Sequence, residues 1–126
     1  MTKRIKTTKL NNLTGAAGKE LAKGKKPAEK EAVIEAIRTV EDPEIPVNVY
    51  DLGLIYKIDI AKNGDIKIDM TLTSPTCPIA DKMPQMVADA AAKTKGAAKV
   101  FVKVVWQPAW DITMIKDEAK YDLGML

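Results

Sequence analysis

The only cysteine of the 126-residue chain, Cys77, stands in the stretch SPTCPIADKM at 74–83, between Thr76 and Pro78. Thr73, Ser74 and Thr76 place hydroxyls around the thiol, and Pro75 and Pro78 restrict the backbone on both sides of it. Just downstream the apolar spacing becomes helical, so the thiol stands ahead of a helix N-terminus. Unpaired N–H donors and the positive end of the helix dipole favour thiolate there, the form that binds a soft metal or attacks an electrophile. A small buried hydrophobe with capping hydroxyls would show the same residues, and the pattern by itself leaves both readings open. The chain has no histidine. One copy therefore cannot build an ordinary Cys/His zinc site, a Cys–His nucleophilic dyad or an internal disulfide. Any chemistry at Cys77 must recruit other groups.

Two further clusters offer such groups. DPEIPVNVYDLG at 42–53 is too polar for a core and too rich in proline for a strand, so it reads as a structured loop. Glu44 and Asp51 in it are candidate oxygen ligands or modulators of the thiol, whereas Asp42 reads as a helix stop. In VVWQPAWD at 104–111, Trp106 and Trp110 flank Pro108, which suits either packing at the core rim or a ridge for docking a partner.

The elements that must position these residues follow from periodicity. Val33, Ala36, Ile37 and Val40 recur at helical spacing after Pro27, and Asp42-Pro43 ends the run. Leu54, Tyr56, Ile58 and Ile60 alternate, Asn63-Gly64 follows, and Ile66, Ile68, Met70 and Leu72 alternate back, which is a hairpin signature ending at Thr73. Met83, Met86, Val87, Ala90, Ala91 and Thr94 predict a second helix that starts near Lys82 and that Gly96 ends. VFVKVVW at 100–106 supplies a third strand, and a short helix over about Ile115 to Leu123 closes the chain. The order α-β-β-α-β-α predicts an α+β fold of two layers, a three-stranded mixed sheet with helices on one face and the third strand parallel to the second.

Charge is unevenly distributed. Residues 1–30 hold nine Lys/Arg against Glu20 and Glu29, while residues 31–126 hold eleven basic and fifteen acidic side chains. Few large apolar residues occur before Pro27, so residues 1–27 read as a flexible basic arm and residues 28–126 as the single folded domain. The arm suits a solubilising tail, or contact with an acidic partner or nucleic acid by charge alone; no pattern for specific nucleic-acid recognition accompanies it. No apolar run is long enough to span a membrane and no secretory signal is visible, which predicts a cytoplasmic protein without a membrane partner.

DPEIPVNVYDLGLIY at 42–56, MTLTSPTCPIAD at 70–81, VVWQPAWD at 104–111 and DEAKYDLGML at 117–126 occur in the order and spacing of the SufT/PaaD-like iron–sulfur assembly family, once catalogued as a domain of unknown function, and the chain resembles that family over nearly everything after Pro27. The resemblance implies an α+β fold, a part in maturing iron–sulfur proteins, and a reactive or cluster-contacting cysteine in the TCP loop, the position of Cys77. Asp42, Glu44 and Asp51 match the acids of the first motif, and Trp106, Pro108 and Trp110 match the aromatic loop of the third. Gln107 stands where relatives often carry an acid, and Lys116 where a capping Ser is common. The implied partners are the iron–sulfur assembly machinery and client apo-proteins, and the implied cargo is a labile iron–sulfur cluster. A cluster commonly takes four cysteinyl ligands and one copy offers a single thiol, so handling a cluster calls for a homodimer pooling two Cys77 thiolates, oxygen ligands, an exogenous thiol or a partner's cysteines. This is the profile of a non-enzymatic assembly or transfer factor. A thiol-dependent redox enzyme acting through Cys77 lacks a resolving cysteine, and an accessory subunit of a multicomponent oxygenase of the phenylacetyl-CoA type is the remaining alternative.

Overall fold

The computed structural model describes residues 13–22, 24–43, 45–73 and 82–124. Its elements in chain order are strand β1 (Thr14–Ala17), helix α1 (Lys30–Ile37), strands β2 (Ile55–Ile60) and β3 (Ile66–Met70), helix α2 (Met83–Ala92), strand β4 (Val100–Val104), a 3-10 turn (Ile112–Met114) and helix α3 (Asp117–Asp122).

The β2–β3 hairpin forms where Asn63-Gly64 predicts it. Ala61 N–H donates to Asp65 O at 2.8 Å, closing the loop. Gly64 takes φ +93°, the left-handed region that costs glycine nothing for want of a Cβ. Asn63 keeps a negative φ, and its Oδ1 accepts from Asp65 N–H at 3.0 Å. The connection is thus a three-residue loop with glycine at its left-handed position. β4 lies parallel to β3, with Ile66 opposite Val100 and Met70 opposite Val104, as a crossover through α2 requires.

The sheet has four strands rather than the expected three, in the order β1-β4-β3-β2. The additional strand, β1, comes from the stretch read as an arm and pairs antiparallel with β4. Thr-Gly-Ala-Ala has little strand propensity of its own, so tertiary contacts hold it. Gln85, in the first turn of α2, takes the place of an outer neighbour: its Nε2 donates to Ala16 O at 2.7 Å and its Oε1 accepts from Ala16 N–H at 3.1 Å. Gly15 permits this approach, because a Cβ there would stand 2.4 Å from the Pro84 and Gln85 backbone. Leu13 is buried beside the strand. Residues 14–17 therefore already belong to the sheet, on the N-terminal side of the boundary expected at Pro27.

α1 buries Val33, Ile34 and Ile37, and α2 buries Met83, Val87, Ala88 and Ala91, against Ile58, Ile66, Ile68, Met70, Val100, Val102 and Val104 of the sheet. Pro84 sits in the first turn of α2, where no helical N–H partner is needed. Met86, expected on the apolar stripe, is 40% exposed. The alternate residues Lys57, Asp59, Lys67, Phe101 and Lys103 are exposed, so helices cover one face and the other is polar. The last helix is shorter than expected and begins at Asp117; Lys116 occupies its N-cap position without a capping side-chain bond.

Candidate functional site

Four segments converge where β3 and β4 end and β2 begins. Thr71 N–H donates to Leu54 O at 2.8 Å, which sets the acidic, proline-rich loop beside the exit of β3. Val105 N–H donates to Met70 O at 2.7 Å, which sets the tryptophan segment beside the same point. Trp110 Nε1–H donates to Leu52 O at 2.7 Å, and Lys116 N–H donates to Asp51 O at 2.8 Å, tying the C-terminal segment onto the first loop. Segment 74–81 leaves from this end. Cys77, Ser74 and Thr76 belong to it and lie outside the described residues, as does Glu44 of the first loop. Of the hydroxyl residues near the thiol in sequence, Thr73 is described: it is half-buried and lies three residues past the end of β3 rather than closing the strand.

Asp51 is a fastening residue at this end. Its Oδ1 accepts from Arg38 Nε at 3.3 Å, its Oδ2 accepts from Asn48 Nδ2 at 3.1 Å, and its N–H donates to Asn48 Oδ1 at 2.8 Å. The Arg38 and Lys116 cations lie 5.3 and 5.1 Å from the centre of the Tyr50 ring. Gly53, at φ +81°, brings Met114 against the loop so closely that a Cβ would stand 2.3 Å from Met114 O. Asp42 is buried, and its Oδ2 accepts from Ile45 N–H at 3.0 Å, so it organises the turn that follows it; α1 itself ends earlier, at Ile37, with Arg38 as its C-cap.

The tryptophan segment is held from two sides. Trp106 and Trp110 are partly buried and pack against the core. A bulge between Ile55 and Lys57 turns Tyr56 out of the ladder, so that its hydroxyl donates to Pro108 O at 2.8 Å and approaches Met114 Sδ at 3.6 Å. Burial raises the Tyr56 hydroxyl above its ordinary value; the neighbouring Thr71 side chain opposes this and the Asp111 carboxylate adds to it. Thr71 Oγ1 is buried without a partner at hydrogen-bond geometry. Asp111 caps the 3-10 turn, its Oδ1 accepting from Thr113 N–H at 2.8 Å and from the Thr113 hydroxyl, and these bonds hold its carboxyl below the usual range. Sequence reasoning missed Tyr56 as a tether, because unbroken alternation assigns it to the core stripe and nothing in the residues announces the bulge. It also missed Arg38 and Asn48 as partners of Asp51. Among the described residues, no three Cys, Asp or Glu side chains lie close enough together to hold a metal ion.

Residues 30–104 match the family described as iron–sulfur cluster assembly protein, a region that takes in the first two motifs whole and reaches the third. The chain is 43% identical over 97 residues to an Fe–S protein maturation auxiliary factor of Porphyromonas gingivalis, covering 77% of this chain and 92% of that one. It is 35% identical over 86 residues to the Fe–S protein maturation auxiliary factor SufT of Staphylococcus aureus, covering 68% and 98%. Among solved structures, a domain of unknown function from Bacillus anthracis matches at a TM-score of 0.71 and 30% identity, covering 77% of this chain and 92% of that one.

Proposed function

We infer the function of this chain from the family to which it belongs, that of the iron–sulfur cluster assembly proteins: it takes part in maturing iron–sulfur proteins. In this reading it is a non-enzymatic assembly or transfer factor, its cargo a labile cluster, its partners the assembly machinery and client apo-proteins. Cys77 is the contacting thiol, with the hydroxyls of Thr73, Ser74 and Thr76 to orient it. The observation that supports this site best is the convergence of the four motif segments on the sheet end from which segment 74–81 departs. Since one copy supplies one thiol, the remaining ligands come from a second copy, a client's cysteines or oxygen groups. Glu44 suits the last role better than Asp51, both of whose carboxylate oxygens are engaged by Arg38 and Asn48. Trp106 and Trp110 present their exposed edges beside the site as a contact surface for partners.

The test is anaerobic reconstitution with iron and sulfide, followed by visible absorption, iron stoichiometry and activation of an apo iron–sulfur enzyme. Serine preserves the shape of Cys77 but removes the soft, ionisable sulfur that iron prefers. Cys77→Ser is expected to keep the wild-type melting temperature and to lose cluster binding and transfer. Full transfer by a stably folded Cys77→Ser protein would exclude the thiol as the working group.

A further inference from the structure

Away from the converging segments, at the opposite end of the sheet, a groove of about 630 Å³ opens between residues 21, 22 and 24–27, the first turns of α1 and the turn that follows α2. Leu21, Ala22, Pro27 and Ala32 give it an apolar lining. Its floor is held rather than loose: Ala28 N–H donates to Gly96 O at 3.0 Å, and Gly96 at φ +89° lets the turn come so near that a Cβ would stand 2.6 Å from Ala28 N. A second, smaller cavity between α1 and α2, lined by Ala36, Ala90 and Thr94, adjoins the first at Ala32 and Lys95.

The rim is cationic. Lys25, Lys26 and Lys95 border the first cavity and Lys93 the second, all exposed. Among the described residues none of these four lysines lies within ion-pair distance of a carboxylate, whereas the nearby Lys99 has Glu20 at 3.8 Å. Glu29 is the acid on the border of the first cavity, and Glu35 on the second is taken by Arg38 at 2.7 Å. We propose that this groove docks an acidic peptide segment of a partner protein, one that carries a large apolar side chain to fill the lining while its carboxylates meet the lysines. A nucleic acid suits the place less well. The lining is aliphatic and has no aromatic face for a base to stack on, and Glu29 repels a phosphate backbone. The proposal does not depend on Cys77 or on cluster chemistry.

The probe is a short fluorescein-labelled peptide of Glu and Asp with two Leu four positions apart, titrated against the full chain by anisotropy, with amide chemical shifts to map the contact. Binding is expected, with shifts confined to residues 21–36 and 90–96. Lys25→Glu/Lys26→Glu/Lys95→Glu, three exposed changes checked by an unaltered melting temperature, should weaken binding by about tenfold or more. Replacing both Leu of the peptide by Ser should weaken it by about tenfold as well. Absence of binding, shifts elsewhere, equal binding by the triple variant, or equal binding of the serine peptide or of a short single-stranded oligonucleotide would each overturn the proposal.

Discussion

Gly64 and Gly24 have similar positive φ angles, +93° and +85°, in different surroundings, and the pair separates two costs that a glycine substitution usually mixes. Adding a Cβ in the left-handed region costs an L-residue roughly 1–2 kcal/mol wherever it occurs. At Gly24, among the described residues beyond its chain neighbours, nothing lies within 4 Å of the added atom. At Gly64 it would meet Gly96 O and Leu21 Cδ2 at 3.0 Å and Ala98 Cβ at 3.2 Å. Leu21 can swing away, but Gly96 O is held by Ala28 N–H at 3.0 Å, and Gly64 O itself accepts from Ala98 N–H at 2.9 Å. Displacing that corner adds about 1 kcal/mol or more, the lower end of what overpacking costs. Gly64→Ala should therefore destabilise by about 2–4 kcal/mol and Gly24→Ala by at most about 1–2 kcal/mol. With a urea slope of about 1–3 kcal/mol per molar, the two midpoints should differ by roughly 1 M. Equilibrium urea denaturation followed by circular dichroism and tryptophan fluorescence measures both. Equal midpoints would refute the contact argument, and a wild-type midpoint for Gly64→Ala would refute the left-handed turn itself.

Deleting residues 1–18 removes β1 and the buried Leu13, and should lower the melting temperature by about 5 °C or more; an unchanged value would show that the strand contributes nothing. Tyr56→Phe loses the bond to Pro108 O and should cost about 1 kcal/mol in a denaturant titration. Because the folded protein raises the Tyr56 hydroxyl above the ordinary 10.0, its contribution is full below that pH and fades as pH rises through the folded value, so wild type should lose stability on that alkaline limb and the Phe variant should lose less. Asp111 works with the opposite sign. Its carboxyl is lowered in the folded state, so its contribution is present above the ordinary carboxylate range and lost as pH falls through the folded value; Asp111→Asn should flatten the acid limb of the melting curve.

Features written in local chemistry were legible. Asn63-Gly64 names its hairpin because a left-handed backbone in a tight turn selects glycine, and the stripe Val33, Ile37 names α1 because burial repeats every turn. β1 was not legible. Gly15, Ala16 and Ala17 lack strand propensity, and the groups that make a strand of them, Gln85 and the β4 edge, lie some seventy or more residues away in the chain. The candidate site divides in the same way. The motifs reveal which segments matter, but Asp42 organises the turn that follows it, and α1 has already ended at Ile37. That Asp51 clamps Arg38 and Asn48, or that Tyr56 leaves its ladder through a bulge to hold the tryptophan segment, depends on where other segments arrive. Met86 shows the limit of periodicity: the helical stripe includes it, yet it is exposed.

The scaffold invests in the frame around segment 74–81 rather than in ligands. β3 is held on one side by a parallel ladder to β4 and on the other by an antiparallel ladder to β2, while Asp51, Leu52, Leu54 and Met70 each accept a backbone or indole N–H from a segment arriving at the same end. Yet the whole chain carries one thiol and no imidazole. Iron bound through so few soft ligands leaves most of its coordination to whatever approaches. A client that offers several cysteines gains more iron–sulfur bonds than the donor gives up, so the free-energy gradient runs towards the client, and a second thiolate on the donor would oppose release. In the proposed role, then, the scarcity of ligands sets the direction of transfer, and the fastened loops hold the strand end from which the Cys77 segment continues.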